Sequence, residues 1–124
     1  MILVDTSVWI DHLRENDPAL SALLERRQIL SHPFVIGELA LGSLHQQRDA
    51  ILGSLQGLPR ALVGTDEKVH AYIDQHALFG LGIGYVDAHL LAATSLTLGA
   101  QLWTRDKRLR GAVARLGIDA DLDR

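Results

Sequence analysis

Four carboxylates stand at places where a folding chain has little structural use for charge. Asp5 ends the apolar run Ile2-Leu3-Val4, and Asp106 follows the run Gln101 to Thr104. Asp87 opens the apolar stretch Val86 to Leu98, and Glu38 sits inside the otherwise apolar stretch Pro33 to Leu41. Singly, each has a plainer use. Asp87 can cap a helix, Asp106 can serve a turn, and Glu38 can face solvent. Asp5 is the hardest to explain this way, and the four together say more than any one. Carboxylates gathered in one pocket repel each other unless a cation compensates. Hard divalent cations such as Mg²⁺ take oxygen ligands and keep several waters. Such a site suits phosphodiester hydrolysis, with water activated on one side of the phosphorus and the leaving oxygen steadied on the other.

The elements that must position these acids alternate between strand and helix. Ile2 to Val4 reads as a short buried strand. Ser7 is the expected N-cap of a first helix carrying Trp9, Ile10 and Leu13, and Asp17-Pro18 the cap and first residue of a second. Gln28 to Ser31 reads as a strand, Pro33 opens a helix, and residues 45 to 57 continue as another. Ala61 to Val63 is a weak strand candidate, and Thr65-Asp66-Glu67 starts a helix running to about Phe79. Gly80, Gly82 and Gly84 mark a loop. Val86 to Leu98 is apolar on nearly every side, so it should be a central helix. Gln101 to Thr104 is a strand, Lys107 to Leu116 a helix, and Ile118 to Leu122 a candidate last strand. This alternation implies an α/β fold with a parallel sheet covered on both faces. Ligands of such sheets bind beyond the carboxyl ends of the strands, where strand order reverses. Asp5 and Asp106 would meet there.

The stretches holding these acids resemble the PIN-domain ribonucleases, most closely the VapC-type toxins of toxin–antitoxin pairs. "ILVDTSVWIDHL" resembles that family's opening, with Asp5 as its first acid and Thr6 and Ser7 as the hydroxyls beside it. "GELALGSL" resembles its second motif, with Glu38 as the acid. "YVDAHLLAATSLTLGAQLWTRDKRL" resembles the remainder, with Asp87 and Asp106 as third and fourth acids and Thr104 as the polar residue before the last. The Tyr85-Val86 pair and His89 depart from the family's usual pattern. The resemblance covers essentially the whole chain. It implies one PIN-like domain over residues 1–124, with a central five-stranded parallel sheet flanked by helices. It also implies Mg²⁺- or Mn²⁺-dependent endoribonuclease activity at Asp5, Glu38, Asp87 and Asp106, with Thr6, Ser7 and Thr104 in support. A homodimer and a small DNA-binding antitoxin complete what it implies.

The bulk numbers bound this reading. The length, 124 residues, fits one domain, and 48% hydrophobic residues suffice for a core. There is no cysteine, so no disulfide framework and no thiolate zinc site. No apolar run approaches the roughly 20 residues of a membrane helix. Met1 leads directly into the first strand, and a cytoplasmic protein is expected. The net charge of −3 at first argues against a nucleic-acid partner. Setting aside the four acids turns that balance to +1. Five of the twelve basic residues also fall between Arg105 and Arg115. Arg105, Lys107 and Arg108 lie beside Asp106, where they would hold phosphates flanking the scissile one. A solvated helix face is the plainer account of that run.

Other motifs carry less. None of the six histidines makes a strong zinc spacing. His12, His32, His45, His70 and His76 read as ordinary surface or partly buried residues, while His89, two residues from Asp87, merits a closer look. Trp9 and Trp103 read as core. The glycines at 80, 82 and 84 lack the lysine and hydroxyl of a phosphate-binding loop. The rival reading is a receiver-type signalling or binding module without nuclease activity. A receiver wants paired acids after its first strand and a lysine after a late one, whereas this chain offers hydroxyls after Asp5 and Thr104-Arg105.

Overall fold

The computed structural model describes residues 1–123. Strand β1 (Ile2–Val4) is followed by helices α1 (Thr6–Arg14) and α2 (Pro18–Glu25), then strand β2 (Ile29–Leu30). Helix α3 (Pro33–Ala40), a 3-10 turn (His45–Gln47), and helices α4 (Arg48–Gln56), α5 (Asp66–His76) and α6 (Tyr85–Leu96) follow. Strand β3 (Gln101–Trp103) and helix α7 (Lys107–Leu116) complete the order.

The sheet has the order β2-β1-β3, with every pair parallel. Ile2 pairs with Ile29 on one side and with Gln101 on the other. The chain therefore leaves β1 to one side and returns on the other, which makes the carboxyl end of β1 the switch point. Leu3 and Val4 point to opposite faces of the sheet, and both are fully buried. Helices therefore cover both faces. Helix α6 packs against β3 and is buried from Ala88 through Thr94, which agrees with its unbroken apolar pattern. Among the described residues no helix is long and apolar enough to cross a membrane.

The five expected strands become three strands and two single bridges. Ser31 bridges to Arg60 at one edge, and Leu102 to Asp119 at the other. At the first edge pairing stops after Ser31 N–H donates to Pro59 O and Ala61 N–H to Ser31 O. Pro59 has no N–H to extend it, and Leu62 N–H turns to the Thr97 hydroxyl at 2.8 Å. Ala61 to Val63 is consequently no strand. At the second edge Asp119 accepts from Asp121 N–H at 2.8 Å, and Asp121 adopts φ 55°. That side-chain turn bends the chain away before a ladder forms.

Helix starts follow local chemistry. Asp17 caps α2 through the N–H groups of Ala19 and Leu20, with Pro18 next, as expected. The cap of α1 differs from expectation. It is Asp5, which has extended φ/ψ, while Ser7 lies one residue inside the helix. The helix expected over 45–57 splits at Arg48 into the 3-10 turn and α4. Helix α7 ends at Gly117, whose φ of 70° places it in the left-handed region that glycine enters without strain.

Candidate active site

Because Val4 pairs with Trp103, the residues following each strand are neighbours: Asp5 N–H donates to Trp103 O at 2.9 Å. Asp5 is buried, with 6% of its surface exposed. Its Oδ2 accepts hydrogen bonds from the hydroxyls of Ser7 at 2.7 Å and Thr104 at 2.8 Å. Ser7 Oγ in turn accepts from Arg105 N–H at 3.0 Å, and Thr104 Oγ1 from Asp106 N–H at 3.1 Å.

The other three acids are held in the same manner. Glu38 Oε1 accepts from the Thr6 hydroxyl at 2.7 Å, which ties α3 to the first turn of α1. Asp106 caps α7, accepting through Oδ1 from Leu109 N–H at 3.0 Å. Asp87, in the first turn of α6, reaches back through Oδ2 to Gly84 N–H at 3.0 Å. Three of the four acids thus sit at helix N-termini, where the backbone favours negative charge. Each carboxylate spends one oxygen on orientation. Among the described residues its second oxygen accepts no hydrogen bond.

The four acids share one electrostatic neighbourhood. Burial is the largest influence raising the Asp87 carboxyl, and the charges of Asp5, Asp106 and Glu38 raise it further against the Gly84 hydrogen bond. The side chains do not close into a finished cage. Among the described residues no three Asp, Glu, His or Cys side chains stand close enough together to hold one ion. The donor set is nevertheless all-oxygen, mutually repelling and supplied with free oxygens, which fits a hard divalent cation.

The model of the PIN domain matches residues 2–114, a stretch containing all four acids. The chain belongs to the PIN domain family. It is 50% identical over 118 residues to the ribonucleases named VapC32 of two strains of Mycobacterium tuberculosis, covering 95% of this chain and 94% of each relative. The parallel α/β sheet expected from the sequence is therefore the PIN fold, in a version with short edges.

Within this PIN domain the basic residues divide. Lys107 and Arg108 lie exposed in the first turn of α7. Arg108 Nη1 reaches Gly82 O at 3.4 Å, so its guanidinium lies across the loop leading to Asp87. A Cβ at Gly82 would stand 2.8 Å from that nitrogen, and Gly82 has φ 77°. The backbone angle is what calls for glycine there, since the Arg108 side chain could swing aside. Arg105 departs from the expected phosphate contact. Its guanidinium is engaged by Asp11 at 2.9 Å, Asp17 at 2.6 Å and Asp123 at 3.1 Å. It also lies 5.3 Å from the centre of the Trp103 ring. The hydrogen bonds it donates to Asp123, then to Asp17, raise its pKa above an ordinary arginine's. Burial, the largest single influence, would raise the Asp17 and Asp123 carboxyls, but Arg105 together with the Leu20 and Ala19 N–H groups at Asp17, and with the Trp103 indole and the Arg110 charge at Asp123, holds both below the usual range. Asp11 and Asp123 carried no signal in the sequence, because nothing in their spacing points to Arg105.

Among the histidines, His32 differs from expectation. His32 is fully buried and caps α3, its Nδ1 accepting from Phe34 N–H at 3.0 Å. His89 is buried between the rings of Phe34 and Tyr85, with centroids at 4.6 and 4.7 Å. Its Nε2 lies 3.4 Å from Asp66 Oδ1 without a hydrogen-bond geometry. His89 lies in α6 itself, and among the described residues it makes no hydrogen bond or ion pair with Asp5, Glu38, Asp87 or Asp106.

Proposed function

We propose that the chain is a metal-dependent endoribonuclease, the toxin of a VapBC-type toxin–antitoxin pair. The observation that carries this is Asp5: a buried carboxylate at the switch point of the sheet, oriented through one oxygen by two hydroxyls. Half identity to ribonucleases across nearly the full length supports the substrate class.

Asp5, Glu38, Asp87 and Asp106 would hold Mg²⁺ or Mn²⁺ through the oxygens left free of hydrogen bonds. Such an ion supplies an activated water and charge stabilisation of the leaving oxygen. The chain's own groups prepare the site. Thr6, Ser7 and Thr104 hold Glu38 and Asp5 by hydroxyl hydrogen bonds, so their carboxylates do not turn away from the crevice. Helix N-termini support Asp5, Asp87 and Asp106 before any ion arrives. Lys107 and Arg108, exposed beside Asp106, steady neighbouring phosphates and confer affinity without sequence preference. Arg105 is left out of that role, because three carboxylates occupy it.

A small DNA-binding antitoxin is the partner this reading carries. The groove between α1, α3 and the 3-10 turn, lined by Ile10, Leu13, Leu39, Leu44 and Ile51, has a volume of about 1090 Å³ and includes Glu38 in its wall. An inhibitory segment seated there would touch one of the four acids. RNA as substrate places the action inside the cell, and a homodimer completes the proposal. Light scattering checks the dimer.

Cleavage of total RNA with Mg²⁺ or Mn²⁺, compared with the same reaction in EDTA, tests the activity. Asp5→Ala should cost on the order of 10³-fold or more in rate, since losing a metal ligand removes several kcal/mol of charge stabilisation. Full activity in EDTA, or in Asp5→Ala, overturns the reading.

A further inference from the structure

We propose that Arg105 is a positioning residue for Asp5 and Asp106, locked in place by Asp123 of the C-terminal segment. This role rests on the nuclease reading of the acids and adds to it a device outside the four carboxylates.

The covalent chain sets the first constraint. Arg105 stands between Thr104 and Asp106, so any shift of its backbone moves both the hydroxyl that binds Asp5 and the cap of α7. Its own N–H donates to Ser7 Oγ, and Ser7 donates to the same Asp5 oxygen. The backbone at 105 therefore governs both hydroxyl contacts of Asp5. The Arg105 side chain adds tethers to those backbone hydrogen bonds. Arg105 grips three separate elements: Asp11 in α1, Asp17 at the cap of α2, and Asp123 near the C-terminus. The planar guanidinium suits this, because its several N–H donors point in set directions.

Asp123 closes the arrangement. Its Oδ2 accepts from Arg105 Nε at 3.1 Å and from the Trp103 indole N–H at 2.8 Å, while Oδ1 accepts from Arg105 Nη2 at 3.1 Å. One carboxylate thus joins the last residue of β3 to the residue that follows Thr104. Asp123 lies beyond residues 2–114, the part matched by the PIN model. The lock thus reaches the strand end of the matched region from the segment that follows α7.

The test uses the full chain with Asp123→Asn and Arg105→Lys. Mn²⁺ alone is titrated by calorimetry at a temperature where circular dichroism shows each variant folded. Binding of a single-stranded RNA oligomer is measured in EDTA at several salt concentrations. Residues that orient metal ligands typically cost about 10-fold or more in metal affinity when altered. Asp123→Asn should weaken Mn²⁺ binding by about 10-fold and leave the salt dependence of RNA binding unchanged. Arg105→Lys, which keeps the charge but loses the fork, should weaken it at least as much. Should Arg105→Lys fail to fold, Asp123→Asn decides alone, since it keeps Arg105 and removes only the charge of the carboxylate that ties it to Trp103. Unchanged Mn²⁺ affinity with a lowered melting temperature overturns the proposal in favour of a purely stabilising ion pair. A flattened salt dependence overturns it in favour of phosphate binding. A wild type that binds no Mn²⁺ and cuts no RNA removes the nuclease reading itself, whereas a wild type that does both beside unaltered variants removes only this role.

Discussion

Thr104 donates its hydroxyl hydrogen to Oδ2 of Asp5 at 2.8 Å, across 99 positions of sequence. The parallel pairing of β1 with β3 makes this contact inevitable, because Val4 and Trp103 are register partners and the next residue on each strand faces the same crevice. The strand register, rather than a local motif, thus builds the core of the site.

Thr104→Val removes that hydroxyl while nearly keeping the side chain's shape. Asp5 would retain only Ser7 as a hydroxyl donor. Loss of an orienting partner typically costs 10- to 100-fold in metal affinity or activity. The expected outcome is a cleavage rate down by about that factor at low Mg²⁺, with partial recovery at high Mg²⁺. A metal-response curve identical to wild type would show that Thr104 only fills space.

Asp87→Asn should melt at or above the wild-type temperature in EDTA at pH 7. Burial raises the Asp87 carboxyl, with the other acids adding to it, so the folded state holds its proton more tightly than the unfolded chain does. An acid with a raised folded pKa stabilises the fold at low pH and opposes it once ionised, above that pKa. Asn removes the charge and still accepts from Gly84 N–H. Mg²⁺ should raise the wild-type melting temperature by binding the folded state, and raise the variant's much less. Thermal scans with EDTA and with Mg²⁺ check both halves. A variant that melts well below wild type in EDTA yet responds normally to Mg²⁺ would make Asp87 a structural cap alone.

Arg108→Ala should weaken binding of single-stranded RNA at low salt. Arg108 is exposed and lies over the Gly82 carbonyl, with no carboxylate partner among the described residues. One phosphate contact on a single strand contributes about 0.7 to the slope of log K against log salt. Fluorescence titration of a labelled oligomer at three or four salt concentrations reads that slope. If it does not change, this part of α7 is a solvated face or a partner surface.

The sequence made the acids legible because charge is conspicuous at the end of an apolar run. Asp5 and Asp106 could be placed by the strand that precedes each, and the hydroxyls of Thr6, Ser7 and Thr104 stood beside them. What could not be read was long-range pairing. Arg105 looked like one of a cluster of free bases, yet its partners Asp11, Asp17 and Asp123 lie 94, 88 and 18 positions away. Ser7 looked like a helix cap because cap residues are judged by type, and Asp5 satisfies the same requirement two residues earlier. The edge strands were overestimated for a related reason. Short apolar stretches at 61–63 and 118–122 match a strand pattern, but the ladder fails where Leu62 N–H finds Thr97 and where Asp119 closes a turn.

His32 makes the stability of the fold sensitive to acid. Burial is the main reason its pKa is lowered to about 4, with the charges of His89 and Arg60 adding to the effect. The geometry requires the same neutral form, because Nδ1 must accept from Phe34 N–H to cap α3. In the unfolded chain the imidazole takes up a proton near its ordinary value of about 6.5. Below that point the unfolded state binds the proton and the folded state does not, so stability falls as pH drops from about 6.5 to 4. Each tenfold difference in proton affinity between the two states is worth about 1.4 kcal/mol, so the loss attributable to this one group is on the order of 3 kcal/mol by about pH 4. His32→Asn separates this from the titration of every other group. Asn also caps helices through its side-chain oxygen and does not titrate. At pH 7 the variant should be less stable by about 1 to 3 kcal/mol, because a smaller side chain leaves space in a buried position. Between pH 7 and pH 4.5 it should lose markedly less stability than wild type, so the two urea midpoints converge as the buffer is made more acid. Equilibrium unfolding in urea at pH 7, 5.5 and 4.5 provides the comparison. Parallel losses in the two proteins would mean that the acid sensitivity lies elsewhere and that the buried imidazole at position 32 is a cap without a titration of its own.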